Sequence, residues 1–477
     1  MTTPKQSFYD RKEELENLNA KYDEINKHGT GKMLALYGRR RVGKTELVKK
    51  FLENKTGCPK LYFYVDLAEE KVLLDALTKA VFEQLNERMV FREFDDFFNY
   101  IIEKSKKECI ILTIDEFQRF NDIAPQIITS MQKHWDNALK NEKIMILLVG
   151  SSIGMMQKIT ESKSGALYNR AIRIKISPFK YKDYRMMFTE LSEEKVTRYA
   201  VFGGTPYYLE KTKRFKDTLE AIDELVLKKN GELFEEPKTL MEYENVRIHA
   251  KYNSILQSIS MGKEIMKEIN DYTKIPTTTL PPYINRLEKL LDLIEKNDPL
   301  LGKERLKRYK IKDYFFRFWY KFIFENQSAL GVGNKELVFN KIKKDLNAYV
   351  GKVFEDIAKE LLIAYNGKEI KGVKINFETI GSWWDRKSNE LDVVAQNRKE
   401  RTLLVGEVKW TNDPVETSIL DNLIAKSKFL NTGGKYDFFI ISKSGFTENC
   451  KKQMDEKGIL HIDLKEMAEL FNKLNNK

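Results

Sequence analysis

Over the first third of the chain, short apolar runs alternate with amphipathic stretches. The runs are Met33–Tyr37, Leu61–Val65, Cys109–Ile114 and Ile144–Val149. Continuous apolar runs of this length, spaced by helical periodicity, predict strands of a parallel sheet covered on both faces. The middle of the chain changes period. Tyr252–Met261, Lys263–Tyr272 and Thr277–Leu291 each read as a helix, the last with Ile284, Leu287, Leu290 and Leu291 on one face. Thr277 or Thr278 is the expected cap of that helix, with the prolines near its start, where they are tolerated. Leu293–Pro299 and Leu306–Ile311 then read as a β-hairpin. Three helices and a hairpin predict a winged helix-turn-helix. Beyond it, a helix containing Glu355 precedes two paired strands, Asn389–Ala395 and Leu403–Trp410.

The first run leads into Gly38-Arg39-Arg40-Arg41-Val42-Gly43-Lys44-Thr45-Glu46, which fits G-x-x-x-x-G-K-[ST] between a strand and a helix. Two glycines let the backbone curl so that several N–H groups face one anion, and the following helix presents its positive end there. Lys44 supplies a mobile cation for the β/γ-phosphates, and the Thr45 hydroxyl is a ligand for Mg²⁺. The expected ligand is ATP with Mg²⁺.

The third run ends in Asp115-Glu116. That brings two acids to the carboxyl edge of the sheet, where ligands bind in open α/β folds. Asp115 is expected in the Mg²⁺ shell and Glu116 as the group that polarises the attacking water. The fourth run ends Gly150-Ser151-Ser152; Ser151 is placed to sense the γ-phosphate or orient the water, although a plain strand-ending turn has the same composition.

Composition narrows the class. The chain has 477 residues, 42% hydrophobic and 32% charged, enough for three or four domains. Its 22 tyrosines and 28 phenylalanines argue against disorder. A formal net charge of +12 permits nucleic-acid binding without showing it. Three cysteines, Cys58, Cys109 and Cys450, lie far apart in sequence, and the four histidines have no metal-ligand spacing. Apolar runs are too short to span a bilayer, so a cytoplasmic protein without membrane partners is expected.

Chemistry returns near the carboxyl end. Glu407-Val408-Lys409 lies in an apolar strand, so Glu407 and Lys409 share a face. Asp392 falls on the neighbouring strand, and Glu390 shares its face and is the alternative ligand. Two carboxylates and a lysine around one point suit Mg²⁺-assisted phosphodiester hydrolysis. A nuclease-like fold that keeps these charges without turnover is the competing reading.

Several segments carry a resemblance. Phe8-Tyr-Asp-Arg11-Lys-Glu-Glu14-Leu15, the phosphate loop, Leu167-Tyr168-Asn169-Arg170 with Pro178-Phe179, and Gly203-Gly204-Thr205-Pro206-Tyr207-Tyr208-Leu209 together resemble the archaeal-type, AAA-related P-loop ATPases. Asn169 stands where that family usually has glycine. The resemblance implies an ATPase core with a helical lid, and Arg170 as an arginine finger or sensor, acting across a subunit boundary in a homo-oligomer. A surface arginine paired with a nearby acid is the equal alternative. The middle segment ending in Tyr309–Tyr320 also resembles that family. The Asp392…Glu407-x-Lys409 pattern resembles the PD-(D/E)xK, restriction-endonuclease-like superfamily, and its surroundings look like the C-terminal domain of unknown function attached to archaeal-type ATPases. Carried over, Glu355, Asp392, Glu407 and Lys409 form the site, the three acids as metal ligands.

The expected fold is therefore α/β: a P-loop NTPase core over residues 1–180, a helical lid and linker over 181–245, a winged helix over 246–325, and a nuclease-like α/β domain over 326–477. DNA is the candidate partner of the last two. Arg286, Lys289, Lys303, Arg305, Lys307 and Arg308 supply the basic charge.

Overall fold

A computed structural model describes residues 11–190, 192–243, 250–302, 306–430 and 432–475. Phe8–Asp10 of the N-terminal motif and the basic residues Lys303 and Arg305 lie outside the described residues. The chain divides into two compact units. One runs to Pro178 and takes in Lys289–Asp292; the other comprises Phe179–Glu288 and the chain from Leu293 onward.

The first unit is built on β1 (Lys32–Tyr37), β2 (Lys60–Tyr64), β3 (Ile110–Asp115), β4 (Ile144–Gly150) and β5 (Ala171–Lys175). Their order is β2-β3-β4-β1-β5, and every pair is parallel. Strands β3 and β4 are buried along their whole length, which is why they read as continuous apolar runs. Alternate side chains serve opposite faces. Leu34, Leu36, Ile111, Met145 and Leu147 pack with Leu18 and Ile25 of helix Lys12–His28 and with Leu47, Val48 and Phe51 of helix Lys44–Glu53. Met33, Ala35, Leu112, Ile114, Ile146 and Leu148 face Leu73, Leu77, Phe97, Phe98 and Ile101.

β5 escapes the sequence pattern. It is the edge strand Ala-Ile-Arg-Ile-Lys, mostly exposed, and an edge needs no apolar run.

In the second unit, helices Ala250–Ser260, Met266–Thr273 and Leu280–Asn285 precede an antiparallel hairpin. Its strands are β6 (Ile294–Asn297) and β7 (Arg308–Ile311), with Ile294 opposite Ile311. Neither Thr277 nor Thr278 caps the third helix. Thr279 occupies that position and turns its hydroxyl back to Pro276 O at 3.1 Å. The second helix starts later than its periodicity suggests, because Glu264 O accepts from Tyr309 N of the hairpin at 2.8 Å. Phe315, Phe316, Phe318 and Trp319 are fully buried, as expected of core residues.

A 30-residue helix, Lys335–Ala364, leads to the short hairpin β8 (Lys368–Ile370) and β9 (Val373–Ile375). A second five-stranded sheet follows: β10 (Thr379–Trp384), β11 (Glu390–Asn397), β12 (Thr402–Lys409), β13 (Lys435–Ser442) and β14 (Leu460–Asp463), in sequential order. The first three strands are antiparallel and the last two pairings parallel, with helices Thr417–Ser427 and Glu448–Glu456 as crossovers.

Candidate active site at the sheet edge and a second acidic cluster

β4 separates β1 from β3, so Ser151 at the end of β4 falls between the glycine loop and the two acids. Register levels the three strand ends. Tyr37 pairs with Gly150, Asp115 with Val149, and Gly38 N bonds Gly150 O at 3.4 Å.

The loop itself is left-handed at Arg41 (φ 72°) and Gly43 (φ 90°). Gly38 is required for another reason. A β-carbon there would meet Ile176 O at 2.1 Å, closer than any side chain tolerates. Lys44 is buried, and its ammonium donates to Gly38 O and Arg39 O, each at 2.9 Å. Those carbonyls hold the cation over the loop.

Thr45 Oγ1 donates to Asp115 Oδ2 at 3.0 Å, which joins the loop to the strand-end acid. Tyr62 of β2 donates its hydroxyl to the same oxygen. Burial, and then the Asp115 charge, push the Tyr62 phenol well above its ordinary value, so it stays a donor. Glu116 leaves the strand in a left-handed conformation (φ 57°), which swings its carboxylate toward β4. Ser151 Oγ donates to Glu116 Oε2 at 2.8 Å, and Gln118 Nε2 donates to the same oxygen at 2.6 Å. Glu116 and Ser151, far apart in sequence, are thus brought into direct contact.

Three contributors were missed from sequence. Tyr62 and Gln118 sit on no motif. Arg11 belongs to the N-terminal motif, and its buried guanidinium donates to Val42 O and Ser177 O, each at 2.8 Å, and to Glu14 at 2.8 Å. It ties the glycine loop to the chain leaving β5.

Arg170 stands in a different setting. Its guanidinium forks Asp136, with Nε to Oδ1 at 2.9 Å and Nη2 to Oδ2 at 2.7 Å, and donates to Tyr168 O at 3.0 Å. Within the chain it is an arginine paired with a nearby acid, and Asn169 adopts the left-handed turn (φ 58°) that a glycine would take easily.

In the second unit, Asp392 and Glu407 come together from β11 and β12. Asp392 Oδ2 accepts from Val408 N at 2.9 Å. Lys409 Nζ lies 2.5 Å from Glu407 and 3.6 Å from Asp392. Lys426 approaches Glu407 at 3.4 Å, and Lys352 pairs with Glu355 at 3.1 Å. Burial works to raise the Asp392 carboxyl, but Lys409 and the Val408 N–H outweigh it and leave it below the usual aspartate range. Burial, then the Asp392 charge, push Glu407 up and carry Glu355 to about 7. Among the described residues no three His, Cys, Asp or Glu side chains form a ready-made metal cage. Lysines sit among the acids instead.

The hairpin joins this cluster. Arg308 donates to Glu390 at 3.1 Å and lies 4.5 Å over the Trp384 ring, while Lys310 pairs with Asp356. Trp384 Nε1 donates to Leu306 O at 2.7 Å. Arg308 is therefore held by an acid of the same unit, Glu390, which Lys352 of the cluster also approaches at 4.0 Å.

The raised Glu355 carboxyl has a testable sign. Between pH 4.5, the ordinary glutamate value, and about 7, the native state holds a proton that the unfolded chain has released. Stability contributed by the protonated form is thus lost as pH rises across that window. Glu355→Gln, which cannot ionise, is expected to melt at a temperature that depends less on pH from 5 to 8 than the wild type. Parallel melting curves for both proteins would refute the buried-acid assignment.

A parallel sheet with a glycine loop, a lysine and a threonine at its edge and a strand-end acid beside them defines an ATPase domain of the P-loop class. Residues 8–212 match a model described as an ATPase domain predominantly from Archaea, and residues 319–421 match one described as archaeal and bacterial proteins of unknown function. The chain belongs to the family of the uncharacterised protein MJECL04 of Methanocaldococcus jannaschii, to which it is 33% identical over 441 residues, 91% of this chain and 95% of the relative. A shorter relative from the same organism, the uncharacterised ATP-binding protein MJ0423, is 62% identical over 48 residues, 10% of this chain and 75% of that protein. Among solved structures, the Walker-type ATPase PABY2304 of Pyrococcus abyssi is similar in fold, with a TM-score of 0.51 at 18% identity over 67% of this chain and 99% of that one. Among the described residues no helix is long and apolar enough to cross a membrane.

Proposed function

We propose that the protein is a Mg²⁺-dependent ATPase whose nucleotide cycle acts on DNA through a winged helix and a nuclease-like carboxyl-terminal domain. The observation that carries the reading is the meeting of Lys44, Thr45, Asp115, Glu116 and Ser151 at one sheet edge. Thr45 and Asp115 offer hard oxygen donors suited to Mg²⁺, and a bound ion would neutralise charge on the β- and γ-phosphates. Gly38 to Glu46 would wrap the phosphates, with Arg39, Arg40 and Arg41 adding positive potential. Glu116 would orient the attacking water once Ser151 or Gln118 releases its carboxylate. A homo-oligomer would put Arg170 to use only if it leaves Asp136.

In the second unit, residues 246–325 would form the winged helix and 326–477 the nuclease-like domain. Asp392 and Glu407 would hold a divalent ion whose chemistry is to lower the pKa of a water. Lys409 would steady the charged transition state. One observation favours a second reading, an ATP-switched binding module without turnover. Lys409, Lys426, Lys352 and Arg308 already neutralise the acids there.

Plasmid nicking in Mg²⁺ or Mn²⁺ separates the two. The nuclease reading expects cutting that disappears in Glu407→Ala and Lys409→Ala. Intact plasmid under every nucleotide condition, with DNA still retained in gel shifts that weaken with salt, identifies the binding module. ATP hydrolysis measured with and without DNA tests the coupling.

A further inference from the structure

Cys58 and Cys109 are 51 positions apart, yet the sheet makes them neighbours. β2 and β3 pair with Lys60 opposite Ile111, and Ile111 N donates to Pro59 O at 3.0 Å. Two residues upstream on the two chains lie Cys58 and Cys109. Neighbouring strands run about 4.8 Å apart, inside the span of roughly 4.4–6.8 Å between α-carbons that a disulfide bridges. The Cys58 thiol donates to Cys109 O at 3.1 Å, which holds its sulfur against the strand that carries Cys109. Both are free and partly exposed, whereas Cys450 is buried in the other unit.

We propose that Cys58 and Cys109 are a redox modification site, a thiol pair that closes to a disulfide when a small disulfide such as oxidised glutathione reaches it. The surroundings assign the roles. The Cys109 thiol, then the Tyr22 hydroxyl and the Lys60 charge, bring Cys58 down to about 7 against the effect of burial. The Cys58 thiol beside it, then burial, push Cys109 up. Cys58 is therefore the attacking thiolate and Cys109 the resolving thiol. Lys55, over the Tyr22 ring at 4.3 Å, adds positive charge on the same side.

In the first step the Cys58 thiolate attacks one sulfur of the small disulfide, whose S–S bond breaks to expel one thiolate. In the second, Cys109, losing its proton to solvent, attacks the Cys58 sulfur and expels the second small thiolate. Two protein thiols are oxidised, one small disulfide is reduced to two thiols, and two protons leave the protein for them. The pair lies at the amino ends of the strands, the edge opposite Asp115, so the modification does not depend on nucleotide chemistry.

The test uses the full chain, oxidised glutathione, alkylation after denaturation, and intact and peptide mass. Reduced protein is expected to take three alkyl groups and oxidised protein one, on Cys450, with a dithiothreitol-reversible peptide joining Cys58 to Cys109. Cys109→Ser should stop at a stable glutathione adduct on Cys58, while Cys58→Ser should react at least ten-fold more slowly. Three alkylated cysteines after oxidation, an adduct on wild-type Cys58 that never resolves, or equal rates in the two variants would each overturn the proposal.

Discussion

Lys44→Ala is expected to lose ATP binding by roughly 100-fold or more, equivalent to about 2.7 kcal/mol. Removing one member of a desolvated charge pair costs about 2–5 kcal/mol, and Lys44 is the buried cation of the glycine loop. Its two hydrogen bonds to Gly38 O and Arg39 O would be exchanged for phosphate oxygens when nucleotide arrives. Calorimetry with a non-hydrolysable ATP analogue in Mg²⁺ reads the affinity, and a melting curve checks that the loop has not collapsed. Lys44→Arg should not rescue, because a guanidinium fork does not fit a space shaped for one ammonium. Affinity unchanged in Lys44→Ala would remove the phosphate-loop assignment and with it the ATPase reading of this edge.

The second large effect is on turnover. Glu116→Gln should hydrolyse ATP about 100- to 10,000-fold more slowly, the range expected when a positioned base is lost. Nucleotide affinity should stay within a few-fold, since the amide keeps the shape and one acceptor oxygen for Ser151 and Gln118. Single-turnover hydrolysis separates that chemical loss from product release. Wild-type turnover in Glu116→Gln would mean that another group orients the water. Because Ser151 and Gln118 both hold Glu116 Oε2, Ser151→Ala is expected to change turnover far less than Glu116→Gln.

Much of the first site was legible because it is local. The spacing from Gly38 to Thr45 lies within one turn between a strand and a helix, and Asp115-Glu116 ends an apolar run. Tyr62 and Gln118 were not legible, because they reach Asp115 and Glu116 only through strand order and a left-handed residue. Arg11 was visible as a motif letter but not as a brace, since its partners lie 31 and 166 positions away. In the second unit, the shared face of Glu407 and Lys409 followed from strand periodicity. The arrival of Arg308 at Glu390 and of Lys426 at Glu407 did not.

By itself the sequence determined what short-range physics determines: which continuous apolar runs are buried strands, where a backbone must curl around an anion, and which acids end a buried strand. Only the tertiary structure decided which distant groups meet. It set Ser151 against Glu116, gave Arg170 to Asp136, drew the hairpin's arginine onto the carboxyl-terminal acids, and laid Cys58 beside Cys109. The reason is that side-chain period is written every two to four residues, whereas strand order and register are settled by the burial of whole faces, to which every segment contributes at once.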